Sequence, residues 1–137
     1  AGGVGFAMMA CFGAQMVSGA ELLIDLIKLK ERIAAADLVI TGEGRFDQQS
    51  LHGKGPMAVA EVAKSHGKPC IVLAGSLGEG FDAAYQRGVT AALSTSDGAI
   101  DLADAIRRAP ELLAASAEAA LRLHSLSRNA KRCARDA

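Results

Sequence analysis

Aromatic side chains are nearly absent: four Phe, one Tyr and no Trp in 137 residues. A core without large rings has to be closed by Ala, Val, Leu and Ile packed around glycine, as in tightly layered α/β proteins. Cysteine is as sparse. Cys11, Cys70 and Cys133 are odd in number and far apart, with no CxxC and no Cys/His cluster. That pattern supports neither a disulfide scaffold nor a zinc site and suits a reducing, cytoplasmic setting. Neither sign of charge is in excess, since 15 Lys and Arg balance 15 Asp and Glu. A neutral chain has no overall attraction to nucleic acid or to acidic lipid. Long hydrophobic runs are missing too. Gly3 to Gly13 is too short to cross a bilayer and lacks the basic flank of a secretory signal. No nucleic-acid or membrane partner is expected.

What remains is a chain that is half hydrophobic and 22% charged, enough to bury the core of one domain. It opens on Ala1-Gly2-Gly3-Val4-Gly5 with no polar lead-in, which reads as part of a longer protein. Val4 to Phe12 is apolar all round, the mark of a helix buried in a complete protein. Residues 1–36 form a helical lead-in. Within it Ser18 to Glu21 makes a capping box for a helix carrying Leu22, Leu26, Leu29 and Ile33 and ending near Ala36.

Beyond that, short apolar runs alternate with helical patterns. Strands are expected at 37–41, 70–74 and 89–94. Between the first two lies a helix opened by Pro56, with Val59, Val62 and Ala63 as its apolar face, and capped by Gly67. Phe81 to Arg87 reads as a short helix and Asp101 to Arg108 as another. Pro110 starts a long last helix carrying Leu113, Ala117 and Leu121. Strands separated by crossovers must be parallel. The fold class is therefore α/β: a partial Rossmann-like parallel sheet with helices on both faces, over residues 1–127. Residues 128–137 read as a weakly ordered tail.

The segment Thr41 to Lys54 is read as a polar loop at the carboxyl end of a parallel strand, where α/β proteins place ligands. Two carboxylates, Glu43 and Asp47, alternate there with two cations, Arg45 and Lys54. That mixture suits phosphoryl transfer: carboxylates hold Mg²⁺ or orient a hydroxyl, and cations take up phosphoryl charge. The competing reading is a solvated loop whose charges pair with each other. It is not a Walker A loop, because Gly53-Lys54 is followed by Gly55 and Gln48 stands where the first glycine belongs. Gly42-Glu43-Gly44 is no dinucleotide fingerprint either, since Asp47 occupies the place of its third glycine.

The run from Asp37 to Pro56, DLVITGEGRFDQQSLHGKGP, closely resembles the signature segment of bacterial-type glycerate kinases. His66-Gly67-Lys68-Pro69, Val72-Leu73-Ala74-Gly75 and the opening Ala1-Gly2-Gly3 also resemble that family. The resemblance runs from Ala1 to about Leu121 and covers the family's C-terminal portion only. It implies a fragment of a two-domain α/β kinase that transfers the γ-phosphate of ATP to D-glycerate, with Mg²⁺, giving 2-phosphoglycerate. The isolated chain would then be inactive for want of the opposing domain. Asp47 would accept or align the glycerate hydroxyl proton. Arg45 would stabilise phosphoryl charge or clamp the substrate carboxylate. Glu43 would reach the metal. Lys54 and the backbone of Gly53 would hold phosphate, with Gly42, Gly44 and His52 contributing to binding.

Two other classes stay open on the residues alone: a Rossmann-like nucleotide- or phosphate-binding module without turnover, and a structural or homo-oligomerising piece. Gly75 to Gly78 and Ser94 to Asp97 are strand-to-helix turns that could also touch nucleotide. Arg128, Lys131, Arg132 and Arg135 read as a solvated helix end rather than a nucleic-acid patch.

Overall fold

The computed structural model describes residues 2–52, 55–96 and 98–133. Three strands, β1 (Val39–Phe46), β2 (Cys70–Leu77) and β3 (Ala91–Ser94), form one sheet in the order β1-β2-β3. Both pairings are parallel. The right answer about direction came with a wrong boundary. β1 does not stop at Thr41: Gly42, Glu43, Arg45 and Phe46 keep register with Leu73, Ala74, Ser76 and Leu77. β2 likewise runs past Ala74. The first half of the expected polar loop is therefore strand.

The pleat sorts the sheet onto two faces. On one, Val39, Cys70, Val72 and Ala74 pack with Met57, Ala60 and Ala63 of α4 (Gly55–Ser65), and Phe46 and Ile33 complete the cluster. On the other, Ile71 and Leu73 pack with Ala120 of α6 (Ala109–Cys133), with Ala117 partly buried beside them. Small residues on α4 let the backbones come close. A Cβ at Gly88 would lie 2.5 Å from the Ala60 carbonyl oxygen. In α6 the inward residues are Leu112 and Ala120, and Leu113 and Leu121 are about half exposed, a turn of one position from the expected stripe. α6 continues to Cys133, into the stretch read as a tail; residues 134–137 and the side chains of the basic patch lie outside the described residues.

The lead-in is three helices: α1 (Val4–Phe12), α2 (Gly19–Leu26) and α3 (Leu29–Ala35). The expected single helix from Ser18 to Ala36 is broken because Lys28 adopts a left-handed conformation, φ 52°. The break resets the helical phase. Ile24 and Ile33 are buried, and Leu22 and Leu26 are exposed. Ser18 does cap α2, its hydroxyl accepting from the Glu21 N–H at 3.4 Å.

α1 buries none of its residues. Val4, Phe6, Phe12, Met16 and Val17 are all more than half exposed. The chain exposes 9322 Å², against roughly 6,700 Å² for a compact monomer of this mass. Neighbouring apolar side chains left exposed in this way mark a face built to be covered.

Cys70, fully buried under α4, has its thiol pushed up to about 11 by desolvation. The folded state therefore holds the thiol proton more tightly than the unfolded chain. Its contribution is complete below the ordinary thiol range and declines as pH rises toward 11. Urea melts at pH 8 and 10.5 should show a loss of stability that is smaller in Cys70→Ala; equal losses in the two proteins would refute this origin.

Candidate phosphoryl-transfer site

The segment after Phe46 turns sharply because Asp47 caps the 3₁₀ helix Gln48–Leu51. Its Oδ1 accepts from the Gln49 N–H at 2.9 Å, and the Asp47 N–H donates to Ser50 Oγ at 3.2 Å. Ser50 is fully buried and donates on to the Arg45 carbonyl oxygen at 3.4 Å. A reciprocal cap of this kind satisfies the backbone groups that a helix start leaves open.

The other carboxylate oxygen of Asp47, Oδ2, accepts from Arg45 Nε at 2.9 Å. The two partners differ in exposure: the Asp47 side chain is 19% exposed and the Arg45 side chain 69%. The cation stands out in solvent and the carboxylate stands behind it. Gly78 closes the pair from below, donating its N–H to the Phe46 carbonyl oxygen at 2.8 Å. A Cβ at Gly78 would fall 2.7 Å from Asp47 Cβ and 3.2 Å from an Arg45 terminal nitrogen.

Two adjoining cavities open at this carboxyl edge of the sheet. One, about 500 Å³, lies along Thr41, Gly42, Glu43 and Gly44 under Leu113 of α6. The second, about 690 Å³, runs from Arg45 and Ser76 past Thr95 and Ser96 to Ile100, Leu102 and Ile106. The last two belong to α5 (Leu102–Arg107), capped by Asp101. Gly44, Gly75, Thr95 and Ala109 border both cavities. Each has the size of a small-molecule site, with apolar walls and a few polar groups at one end.

The expected site residues divide accordingly. Gly44 and Arg45 line the larger cavity, and Gly42, Glu43 and Gly44 the smaller. Asp47 joins them through Arg45. His52 ends the 48–51 turn, exposed. Gly53 and Lys54 lie outside the described residues. Gly42 also has a packing role that its expected place in binding did not include. A Cβ there would lie 2.2 Å from the Leu73 carbonyl oxygen, so the absent side chain makes room for the neighbouring strand. Gly75 is alike, 2.6 Å from the Gly44 carbonyl oxygen, whereas Gly44 faces open space. Ser76, Thr95 and Ser96 lie in the two turns read as able to touch nucleotide, and the α5 wall carries no expected site residue. The only signal for those three was a place after the second and third strands.

For a metal, Glu43 offers one group: its Oε1 is buried without a hydrogen-bond partner. Among the described residues no cluster of three or more His, Cys, Asp or Glu could hold an ion. The donor set fits Mg²⁺, which takes one or two carboxylates and completes its shell with phosphate and water. It does not fit a cation needing an all-protein cage.

Residues 1–125 match the model of the glycerate kinase family. The chain belongs to that family. It is 46% identical over 123 residues to the glycerate 2-kinase of Escherichia coli K12, covering 85% of this chain and 32% of that protein. It is 42% identical over 113 residues to the glycerate kinase of Halalkalibacterium halodurans, covering 82% and 30%. A crystal structure of a provisionally assigned glycerate kinase 2 from Salmonella typhimurium LT2 superposes with a TM-score of 0.64 at 40% identity, covering 90% of this chain and 32% of that one. The chain thus spans about 30% of the length of the curated relatives it matches. Among the described residues no helix is long and apolar enough to cross a membrane.

The glycine geometry gives a direct test. Gly42→Ala and Gly75→Ala should each lower the melting temperature by several degrees, because backbone oxygens block the new methyl groups. Gly44→Ala should leave it within about two degrees, since a surface methyl costs within roughly 0.5 kcal/mol. Thermal melts of the three variants settle it, and equal losses in all three would contradict the packing described.

Proposed function

We propose that this chain is the C-terminal part of an ATP-dependent glycerate kinase and supplies phosphoryl-transfer groups for making 2-phosphoglycerate from D-glycerate. The observation that carries the reading is the exposed Arg45 guanidinium backed by Asp47, at the carboxyl edge of a parallel sheet beside an open cavity of about 690 Å³. Membership of the glycerate kinase family supports the chemistry.

The pair has a chemical logic. At rest Asp47 has both carboxylate oxygens engaged, one by Arg45 and one by the Gln49 N–H. An incoming anion, the glycerate carboxylate or a phosphoryl group, competes with Asp47 for the guanidinium, which binds planar anions through two parallel N–H groups. Drawing Arg45 outward breaks its ion pair with Oδ2 while Gln49 still holds Oδ1. Asp47, kept in place by that bond, is suited to align the attacking hydroxyl and take its proton. The apolar wall of Ile100, Leu102 and Ile106 suits the base of ATP, with its phosphates directed toward Arg45. Glu43 would hold Mg²⁺ together with those phosphates. The ion, when bound, offsets phosphoryl charge. Lys54, Gly53 and His52 complete the phosphate side in this reading, Gly42 and Gly44 letting substrate near. A cytoplasmic setting and homo-oligomers fit it, the latter through the uncovered face of α1.

One observation favours a purely structural reading of Asp47: it is the cap of the 48–51 turn. Asp47→Asn separates the two, since the amide oxygen can still accept from Gln49 and keep the cap, while the charge and the bond accepted from Arg45 are lost. In a full-length family enzyme carrying this segment, Asp47→Asn should lower kcat by roughly 10²-fold with the melting temperature nearly unchanged. Arg45→Lys should raise KM for glycerate, because a point charge cannot replace the planar fork. Steady-state kinetics beside a melting curve test both. Near-normal kcat and KM in both variants would make the turn structural. The isolated chain should show no glycerate-dependent ATP consumption.

A further inference from the structure

The 48–51 turn is gripped at both ends by one segment, the stretch from Glu79 to Arg87. At its start the Gln48 N–H donates to the Glu79 carbonyl oxygen at 3.0 Å. At its end Arg87 Nη1 donates to the Leu51 carbonyl oxygen. The same guanidinium is held from the other side by Glu61 of α4, whose Oε1 accepts from Nε at 3.0 Å and from Nη2 at 2.5 Å. Arg87 therefore joins three separate parts of the chain: the turn, α4, and the 3₁₀ helix Phe81–Arg87 on which it sits. That helix is itself fixed on α4. Lys64 Nζ donates to the Gln86 carbonyl oxygen at 2.6 Å, and Gly88 packs against Ala60 with no room for a side chain.

Among the described residues, what else places the turn is its own cap, the buried Ser50 and the partly buried Leu51 against the α4-side core. Asp47 depends on it, because the Asp47 carboxylate is oriented by the turn's first N–H groups. We infer that Arg87, oriented by Glu61, is a positioning residue: by pinning the Leu51 carbonyl it holds the turn, and through the turn Asp47, in the arrangement that receives the acceptor substrate. The catalytic half of this inference rests on the function proposed above; the mechanical half does not. Neither Arg87 nor Glu61 lines the cavities at the sheet's carboxyl edge, so the effect is indirect and has a distinctive signature. Loosening the turn lowers the fraction of molecules ready to bind, which raises the apparent dissociation constant by the inverse of that fraction. Saturating substrate restores the ordered turn, so KM moves and kcat largely does not.

The test has two arms. In the isolated chain, hydrogen exchange is followed at the Ser50 and His52 amides, which close the turn onto Asp47 and Gln49. Arg87→Ala should speed these about tenfold or more and leave the Val72 and Leu73 amides of β2 unchanged. Arg87→Lys, with one point of contact, should fall between, and Glu61→Gln, which keeps the acceptor oxygen, should stay near the parent. Unchanged exchange at Ser50 and His52 in Arg87→Ala overturns the inference. If Arg87→Ala loosens β2 as well, the two milder variants decide: a graded effect confined to the turn supports the inference, and its absence refutes it. In a full-length family enzyme carrying this segment, Arg87→Ala should raise KM for glycerate about five- to tenfold with kcat within threefold, and Arg87→Lys should recover part of the loss. A fall in kcat without a change in KM refutes the positioning role. If the parent enzyme itself consumes no ATP with glycerate, the proposed function fails, and the exchange arm still decides whether Arg87 holds the turn.

Discussion

Arg45 reaches solvent beside Asp47 because β1 stays paired with β2 as far as Phe46. That ladder is the constraint on which the remaining structure depends. A strand ending at Thr41 would leave five more residues free to wander before Asp47. Pairing carries them straight to the sheet's carboxyl edge and fixes where the chain turns. The ladder in turn depends on glycine at two points of contact, Gly42 against the Leu73 carbonyl and Gly75 against the Gly44 carbonyl. Side chains there would push the strands apart where the site begins. Phe46, with no exposed surface, then anchors the strand's end in the α4-side core. The turn begins immediately beyond that anchor.

The parallel sheet and its two helical layers were legible because Asp37 to Thr41 and Cys70 to Ala74 are apolar runs separated by a helical pattern. The extent of β1 was not. Glycine, Glu and Arg are poor strand formers in isolation, so TGEGR reads as loop; backbone pairing with β2 overrides that preference. The lead-in was misread for a related reason. Periodicity through Ser18 to Ala36 is continuous in sequence, but one left-handed residue, Lys28, breaks the helix: Ile33 is inward as expected, while Ile24 takes the buried place expected of Leu22 and Leu26. At the site, Arg45 and Asp47 were visible as charge types within a family-like motif, whereas their 2.9 Å pairing and the capping role of Asp47 belong to the turn's geometry. Ser76, Thr95 and the α5 wall carry no unusual residue chemistry, so only their placement marks them.

The two faces of the sheet divide the work. The α4 face holds the larger cluster, with Met57, Cys70, Val72 and Phe46 essentially without exposed surface. The α6 face has a smaller cluster, Ile71, Leu73 and Ala120, with Leu112 buried at a cavity wall, and both cavities at the carboxyl edge lie under α6. Close packing resists deformation, and a face left short of partners keeps room for a ligand. The polar ties repeat the division: Glu61, Lys64 and Arg87 brace the α4 side, and the serine and threonine hydroxyls of Ser76, Thr95 and Ser96 line the open side.

That division bears on how a single turn can serve two ends. In the proposed reaction Asp47 has to be rigid enough to align a hydroxyl and also to release Arg45 when an anion arrives. The structure separates those demands by atom. Oδ1 is bonded to the backbone of a turn braced from the α4 side, which keeps the carboxyl group in place whatever happens at its other oxygen. Oδ2 faces a side chain that is mostly in solvent, where an ion pair contributes on the order of 1 kcal/mol or less and is easily exchanged. A buried Arg45 would have made the pair too costly to part, since removing one partner strands a charge. Exposure of the cation and burial of Ser50 within the turn beneath it are thus complementary, and both follow from a strand that ends with Phe46 in the core and Arg45 just outside it.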